Sequence, residues 1–287
     1  LGRPIRERLA PPVRASQAGI RRDALRLPQR PRQPLHAQGL TMQFGGVRAV
    51  SDLHFKAPAA AVTSLIGPNG AGKSTALNML GGFYRPTEGA FALGTESLAG
   101  QGALRIARQG VARTYQTSQL FGSLSVLDNV VLGLHRGRLG PLLNVDRRHG
   151  DGPRERAREL LAGCGYHGDP DTLAAALPHV DRRLVEIARA LAPDPDALLL
   201  DEPAAGLSRE DKERLGQLLR RIADAGHQID ITAERQPFPA GLCQRFQAAQ
   251  LADRQPIDHA PRHEIRIPVL LGDVMVNVQK GVLQRCL

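Results

Sequence analysis

A glycine-rich loop constrains the fold of this chain more than any other stretch of its sequence. The loop matches the pattern G-x-x-x-x-G-K-[S/T] and lies between a short apolar run at 62–66 and a helical pattern at 73–80. Its glycines let backbone N–H groups turn inward around an anion, and the helix directs its positive end at the same point. The loop therefore predicts a phosphate-binding site in an α/β fold. Its nine residues are Gly67, Pro68, Asn69, Gly70, Ala71, Gly72, Lys73, Ser74 and Thr75.

Two side chains of the loop supply chemistry that a bound nucleotide needs. Lys73 carries a positive charge that can reach the β- and γ-phosphates, and the Ser74 hydroxyl can ligate Mg²⁺. A chance glycine turn is the alternative, but such a turn requires neither a strand before it nor a helix after it. We therefore expect a nucleotide to bind here together with Mg²⁺.

A second motif joins an apolar run at 198–200 to two adjacent carboxylates, Asp201 and Glu202. A buried strand of this kind delivers both side chains to its carboxyl end, where ligands bind in open α/β sheets. We predict that Asp201 holds Mg²⁺, directly or through water, and that Glu202 polarises the attacking water. Apolar strands that end in two acidic residues are common, so this prediction depends on the phosphate loop upstream.

Strand and helix patterns alternate along the rest of the chain. Strands that are connected through helices form parallel sheets, so the alternation predicts an α/β fold. The helix at 209–225 should end at Gly226, which occupies the expected C-cap position. The predicted strands lie at 40–44, 62–66, 110–115 and 197–200, and the predicted helices at 73–80, 124–134, 153–164, 181–191 and 209–225.

Several of these stretches resemble the nucleotide-binding domain of an ABC transporter. The phosphate loop, the strand that ends in Asp201 and Glu202, and the helical stretch at 186–191 carry the resemblance. It covers residues 37–227, and we place the nucleotide-binding domain at 36–227. Further stretches are similar to the ATP-binding subunits of branched-chain amino acid importers, within the hydrophobic amino acid uptake family; they lie at 44–50, 82–89, 112–116 and 120–130.

The resemblance implies an α/β fold of the P-loop NTPase type, with a RecA-like core, an antiparallel β subdomain and a helical subdomain inserted at about 117–190. The cofactors that it implies are ATP and Mg²⁺, with Phe44 stacked on the adenine. It also implies that Gln116 approaches the metal and the attacking water beside the catalytic Glu202. The implied metal ligands are Ser74, Gln116 and Asp201.

The resemblance implies partners as well. ATP hydrolysis would drive uptake of branched-chain or related amino acids through two integral membrane permease subunits, which a periplasmic substrate-binding protein supplies. The chain would lie at the cytoplasmic face of the inner membrane. It would pair with a second ATP-binding subunit, identical or different, because the partner's signature loop closes each ATP site. Residues 118–134 would face the permease, and residues 205–208 would contact the opposite ATP-binding subunit.

The signature loop itself departs from the family pattern. The family reads roughly Leu-Ser-Gly-Gly-Gln, and some members of this branch carry a Pro-His-Gly version. The β-branched Val180 would crowd the approach of a backbone N–H group to the γ-phosphate at a helix N-terminus. Asp181 adds a negative charge nearby, or caps the helix. The aligned residues, which the resemblance places against the partner's ATP, are Leu177, Pro178, His179, Val180 and Asp181.

A second departure begins after His227. The family has a last core strand that should begin near Gln228 and end in a histidine that contacts the γ-phosphate. Asp230 does not suit a strand that is buried on both faces, and Glu234 falls near the histidine position. Two later histidines, His259 and His263, lie too far along the chain. We interpret residues 228–287 as a segment that departs from the family, as a frameshift in the coding sequence would produce.

The net charge of +10 is concentrated at the N-terminus. Residues 1–35 hold nine arginines, two acidic residues and six prolines, without a sustained apolar period. This composition predicts a disordered tail, with contact to a membrane surface or to nucleic acid as alternatives. The rest of the chain is nearly neutral and poor in aromatic residues, which argues against a nucleic-acid partner.

Two other functions remain open at this point. The first is a degenerate subunit that binds ATP with little or no hydrolysis, which Val180 and the missing histidine favour. The second is an ABC ATPase that acts on nucleic acid. The near-neutral charge of the domain and the permease-facing stretch at 120–130 disfavour that second function.

Overall fold

The computed structural model describes residues 25, 27–28, 30–134, 152–233, 246–250, 276–279 and 282–285. Within these ranges, no helix is both long and apolar enough to cross a membrane. The strands are β1 (Leu35–Phe44), β2 (Val47–Ala57), β3 (Val62–Ile66), β4 (Glu88–Leu93), β5 (Glu96–Ser97), β6 (Val111–Arg113), β7 (Ala197–Leu200), β8 (Gln228–Ala233), β9 (Phe246–Gln250), β10 (Val276–Gln279) and β11 (Val282–Arg285). The helices are α1 (Lys73–Leu80), α2 (Ala103–Gln109), α3 (Val126–Leu134), α4 (Gly152–Gly163), α5 (His179–Leu191) and α6 (Arg209–Asp224), with a short 3₁₀ helix at Ala174–Ala176.

Two sheets of different type organise the molecule. One is antiparallel in the order β2-β1-β4-β5, and the other is parallel in the order β6-β7-β8-β3-β9. A separate antiparallel pair joins β10 to β11. The parallel sheet positions the phosphate loop, since β3 leads into the loop and α1 follows it. These elements confirm the predicted α/β fold class with its antiparallel and parallel parts.

The antiparallel sheet follows from alternating side chains. Leu35, Ala37 and Leu40 of β1 are buried and pack with Leu53 of β2 and Phe91 of β4 in one apolar cluster. The polar residues between them face outward, as period-two strands with one covered face require. The cluster also includes the buried residues of α1, so the antiparallel sheet packs directly against the helix that follows the phosphate loop.

Helices α3, α4 and α5 pack against one another on a second apolar cluster. Val130 of α3, Leu160 of α4 and Ile187 of α5 are buried there. The cluster continues into the parallel sheet through the buried Leu198 of β7. Cys164, just after α4, is a buried free thiol, and burial raises its pKa to about 12. This packing connects the helical part of the chain to the strand that delivers the predicted carboxylates.

The structure corrects the prediction for residues 228–233. Asp230 argued against a buried strand, yet β8 runs parallel between β7 and β3, with Asp230 aligned with Leu199 and only 1% exposed. Burial raises the pKa of Asp230 to about 7, so its carboxyl can be buried with its proton, and Gln228 donates a hydrogen bond to it. The core strand that the family would place here is therefore present. The interpretation of a frameshift stays a prediction.

The structure also corrects the boundary of the predicted disordered tail at residue 35. Leu27 packs into the helical cluster, and the Arg32 side chain is fully buried. Its Nη2 donates to Asp194 Oδ1 at 2.7 Å, and its Nη1 donates to the Pro195 carbonyl at 3.1 Å. Arg30 and Arg32, the two arginines of this segment that the structure describes, find carboxylate and carbonyl partners in the connection between α5 and β7. Residues 1–24 lie outside the described residues.

Candidate nucleotide-binding site

The phosphate loop lies between β3 and the first turn of α1. Gly70 and Gly72 adopt φ values of 86° and 89°, the left-handed region that side chains disfavour. A Cβ added at Gly72 would overlap the carbonyl oxygen of Ala49 on β2. Glycine is therefore required at this position both for backbone conformation and for space. The residues at the N-terminus of α1 follow the turn directly, so their backbone N–H groups face the loop's interior.

Lys73 is the first residue of α1 and is 5% exposed. Its Nζ donates to the carbonyl oxygens of Gly67 at 2.7 Å and Pro68 at 2.9 Å. Both acceptors are neutral, so these bonds orient the ammonium group without neutralising its charge. The charge can still pair with an anion, and charge-assisted bonds of this kind are the stronger ones.

A cavity of about 390 Å³ opens over the loop. It brings together side chains from three distant parts of the sequence: the phosphate loop, the stretch after β6 and the end of β7. The predicted Lys73, Ser74, Gln116 and Glu202 all line it. Among the residues that the structure describes, those that line it are Asn69, Gly70, Gly72, Lys73, Ser74, Thr75, Gln116 and Glu202.

Two of the three predicted metal ligands, Ser74 and Asp201, contact each other; Ser74 lines the cavity and Asp201 is not among its lining residues. Ser74 Oγ donates to Asp201 Oδ1 at 3.3 Å, so a hydroxyl and a carboxylate oxygen already face each other. Mg²⁺ prefers oxygen ligands of this kind, and the pair fits such an ion. Gln116 Nε2 donates to Glu202 Oε2 at 3.3 Å, so its amide nitrogen faces the second carboxylate.

Glu202 has an unusual backbone. Its φ is 45°, a left-handed conformation that is rare for a residue with a side chain. Such a conformation costs about 1–3 kcal/mol and persists where the surrounding structure holds it. Here it turns the chain sharply after β7, so that Asp201 and Glu202 are adjacent in sequence yet contact different partners, Ser74 and Gln116.

Arg113 is a residue of the site that the sequence analysis did not single out. Its Nη2 lies 3.3 Å from Asp201 Oδ2, and its Nη1 donates to Asn78 Oδ1 at 2.7 Å. The guanidinium carbon lies 5.6 Å and 5.2 Å from the ring centres of Phe83 and Tyr115. Burial lowers the pKa of Arg113, and the Asp201 carboxylate acts in the opposite direction. The sequence did contain a signal for this residue: a single arginine ends the short strand β6, shortly before Gln116.

The other predicted residues are not among those that line the cavity; besides Gly67, Pro68, Ala71 and Asp201, they are Phe44 and the signature residues. Phe44 ends β1, is 44% exposed and packs edge-on against Tyr84, with 5.2 Å between ring centres. Leu177–Asp181 surround the N-terminus of α5, where Pro178 occupies the N-cap position. Glu234, His259 and His263 fall outside the described residues.

A phosphate loop that opens a helix, with Asp201 and Glu202 delivered beside it by a parallel strand, defines a P-loop nucleotide-binding protein. The family model of the ABC transporter matches residues 50–205, which is more than half of the chain. The chain therefore belongs to the ABC transporter family of ATP-binding proteins.

Relatives of this family with assigned transport roles are similar over most of their length. The high-affinity branched-chain amino acid transport ATP-binding protein LivG of Salmonella typhimurium is 39% identical over 197 residues, 66% of this chain and 77% of LivG. The corresponding protein BraF of Pseudomonas aeruginosa is 37% identical over 194 residues, 66% of this chain and 76% of BraF. The predicted resemblance to branched-chain amino acid importers is confirmed by this similarity.

Solved structures share the fold. A nucleotide-free ATP-binding cassette from an ABC transporter matches with a TM-score of 0.67 and 23% identity, over 78% of this chain and 91% of the cassette. A bacterial ABC transporter cassette solved as a dimer matches with a TM-score of 0.64 and 21% identity, over 79% of this chain and all of the cassette. At these identities the likeness concerns the fold alone.

Proposed function

We propose that this chain binds ATP with Mg²⁺ in the cavity over the phosphate loop and hydrolyses it to drive import of branched-chain or related amino acids. The observation that carries this proposal is the convergence of Lys73, Ser74, Gln116 and Glu202 on one cavity. The similarity to LivG and BraF supports the class of transported substrate.

Binding of the triphosphate rests on the loop and Lys73. Backbone N–H groups at the start of α1 surround the β-phosphate, and Lys73 turns from its carbonyl partners toward the β- and γ-phosphate oxygens. Phe44 stacks on the adenine with its exposed ring face. ATP therefore gains most of its affinity from one lysine, several backbone groups and one aromatic ring.

Hydrolysis rests on the carboxylates after β7. When bound, Mg²⁺ neutralises charge that develops on the phosphate oxygens. Ser74 and Asp201 would hold the ion, and Gln116 would offer its amide oxygen as a further ligand. Glu202 accepts a hydrogen bond from the attacking water and orients it. The contact of Gln116 with Glu202 supports a shared role for these two side chains.

The signature residues act on a partner. Leu177–Asp181 surround a helix N-terminus outside this chain's own cavity, so their backbone groups are available to a nucleotide held by a second ATP-binding subunit. Two large apolar residues that are more than half exposed, Phe121 and Leu173, support contact of the helical part with an integral membrane permease. The assembly would lie at the cytoplasmic face of the membrane, with a periplasmic substrate-binding protein on the other side.

A second candidate is a subunit that binds ATP but hydrolyses little of it. Val180 favours this function, because its β-branched side chain stands in the first turn of α5 where the family has a glycine. The same cavity residues would bind the nucleotide in both cases. The two functions differ only in the rate of the chemical step.

The test compares Lys73→Ala with Lys56→Ala, an exposed lysine on β2. Isothermal titration calorimetry should find MgATP binding in the unmodified chain and in Lys56→Ala, and none in Lys73→Ala, because the β- and γ-phosphates lose their point charge. Equal ATP affinity in all three proteins would contradict the proposed site. Single-turnover hydrolysis with the cognate permease then separates an active subunit from a degenerate one.

A further inference from the structure

The stretch after β6 that carries Gln116 has no regular secondary structure. Residues 114–120 lie outside every helix and strand, so their backbone groups depend on other partners. We refer to residues 115–119 as the Gln116 loop. Its position decides where the Gln116 side chain meets Glu202.

Helix α5 supplies those partners through one guanidinium group. Arg183 Nη1 donates to the Tyr115 carbonyl at 2.9 Å, and Arg183 Nη2 lies 3.3 Å from the Gln116 carbonyl. The two contacts are made by the two arms of one planar fork, so they hold consecutive peptide groups in a defined orientation. The Cα of Gln116, from which its side chain extends, lies between these two peptide groups.

A carboxylate and a second guanidinium on the same helix complete the attachment. Glu186 Oε2 pairs with Arg183 Nη1 at 2.9 Å, and Glu186 Oε1 accepts the backbone N–H of Gln119 at 3.1 Å. Arg189 Nη1 donates to the Gln119 carbonyl at 2.8 Å. These three residues recur every three positions along α5, which brings them near one face of the helix.

The burial of this pair sets it apart from the surface ion pairs of the chain. The Arg183 and Glu186 side chains are only 6% and 3% exposed. Burial of two charges is costly, and it is tolerated where further hydrogen bonds satisfy both groups. Among the described residues, the further bonds of Arg183 Nη1, Arg183 Nη2 and Glu186 Oε1 go to the Gln116 loop, whereas Nε of Arg183 has no hydrogen-bond partner.

We infer that Arg183 is a positioning residue: it ties the Gln116 loop to helix α5, so that Gln116 moves together with the helix N-terminus at His179. Arg183 lies one turn from that N-terminus. A partner subunit that engages Leu177–Asp181 would thereby change the placement of Gln116 against Glu202. The inference rests on the roles proposed above for Gln116 and for the signature residues.

The test uses the full chain with the pair Arg183→Met and Glu186→Gln changed together. This double variant removes both charges of the ion pair together, and the glutamine oxygen can still accept the Gln119 N–H. The matched control is Arg214→Met with Glu210→Gln, an exposed pair on α6.

Three measurements are made on each protein. Hydrogen–deuterium exchange of peptides covering 115–119 should be several times faster in the double variant than in the control, with and without MgATP. The ATP dissociation constant should stay the same. Single-turnover hydrolysis should fall by about 10- to 100-fold, because a small misplacement of a reacting group costs that much. Gln116→Ala should add little to this loss, since both changes act on one side chain.

The inference is overturned if exchange at 115–119 and hydrolysis both match the control. If the double variant does not fold, Arg183→Lys carries the same measurements, because lysine keeps the charge but cannot reach two carbonyls in a fork. Absence of ATP binding in the unmodified chain would contradict the proposed function instead, and exchange in the nucleotide-free chain would then decide the inference alone.

Discussion

Gln228 donates a hydrogen bond from Nε2 to Asp230 Oδ2, with 2.5 Å between the two atoms, inside the middle strand of the parallel sheet. Gln228 Oε1 in turn accepts the backbone N–H of Leu35 at 2.7 Å. The two side chains thus link the first strand of the antiparallel sheet to the core of the parallel one. The contact explains how a carboxyl group is accommodated in β8.

Asp230→Asn should stabilise the protein at neutral and alkaline pH. The folded-state pKa of Asp230, about 7, lies above its ordinary value of 3.8, so the protonated carboxyl stabilises the fold at low pH. That contribution is lost as the pH rises from about 4 through 7. At pH 8 the melting temperature of the asparagine variant should be higher by at least about 2–4 °C, which corresponds to roughly 1 kcal/mol of folding free energy. This gain should vanish near pH 4. Asp171→Asn, at an exposed position, is the control, and a gain that is independent of pH would contradict the prediction.

Arg32→Met should destabilise the protein strongly. Arg32 pairs with Asp194, and its Nη2 lies 3.0 Å from Nε2 of His227, whose Nδ1 bonds the Pro195 carbonyl. Loss of one partner from a buried pair costs about 3–5 kcal/mol, and the lower end is expected here because Asp194 is 21% exposed and also pairs with Arg30. Thermal unfolding should show this loss, whereas Arg48→Met, at an exposed position, should change little. Deletion of residues 1–35 should lower the melting temperature for the same reason. An unchanged melting temperature in Arg32→Met would mean that this contact does not form in solution.

The same cluster makes stability sensitive to acid. Burial lowers the folded-state pKa of His227 from 6.5 to about 4, and the positive charge of Arg32 acts in the same direction. The neutral imidazole therefore contributes stability that is complete above pH 6.5 and is lost as the pH falls toward 4. His227→Gln should show a shallower loss of melting temperature between pH 6.5 and 4 than the unmodified chain. Parallel pH profiles of the two proteins would rule this out.

Glu234→His should increase ATP hydrolysis. Glu234 is the residue after Ala233 in the sequence, and Ala233 ends β8 in alignment with Ile66 of β3. The resemblance to the family implies a histidine that donates to the γ-phosphate at this point, and a glutamate presents a negative charge instead. One preorganised donor is worth about 10²–10³ in rate, and single-turnover hydrolysis should rise toward that range. Glu234→Gln, which removes only the charge, should gain less.

Val180→Gly alone should recover little activity, and it should add to the gain of Glu234→His. The reason is that the crowded signature loop and the missing donor act on separate contacts of the γ-phosphate, and effects at separate contacts add. The measurement is single-turnover hydrolysis with enzyme in excess of ATP. If the unmodified chain already hydrolyses ATP as fast as the doubly changed protein, neither residue limits the reaction.

Arg113→Met should lower the affinity of the site for the divalent metal ion that binds together with ATP. Arg113 Nη2 lies 3.3 Å from one oxygen of Asp201 while Ser74 Oγ donates to the other, so the substitution removes one of the contacts that orient the carboxylate. Loss of a partner that orients a metal ligand costs about 10- to 100-fold in metal affinity or activity. Titration of Mn²⁺ followed by electron paramagnetic resonance, in the presence of ATP, should show this shift. Arg105→Met, at an exposed position, should bind Mn²⁺ as the unmodified chain does.

Local sequence determined the phosphate loop and the elements around it. Helix α1 begins at Lys73 and ends at Leu80, as the pattern predicts, because the glycines before it dictate the turn and the apolar spacing dictates the helix. β7 likewise occupies 197–200, since an uninterrupted apolar run of four residues suits only a strand covered on both faces. In α6 the prediction was also close: the helix ends at Asp224, and Gly226 follows with a φ of 98°.

Only the tertiary structure decided the fate of charged residues that contact distant parts of the chain. Three charged residues break the local pattern that is expected at a buried position. The sequence alone suggested a broken strand at Asp230, a solvated tail at Arg32 and no role for Arg113. Arg32 contacts Asp194 and Arg113 contacts Asp201, both far along the chain. Asp230 accepts a hydrogen bond from the nearby Gln228, which in turn accepts the backbone N–H of Leu35 in the other sheet. The physical reason is that the cost of burying a polar or charged group depends on the partner that satisfies it, and such partners come together only when the chain folds.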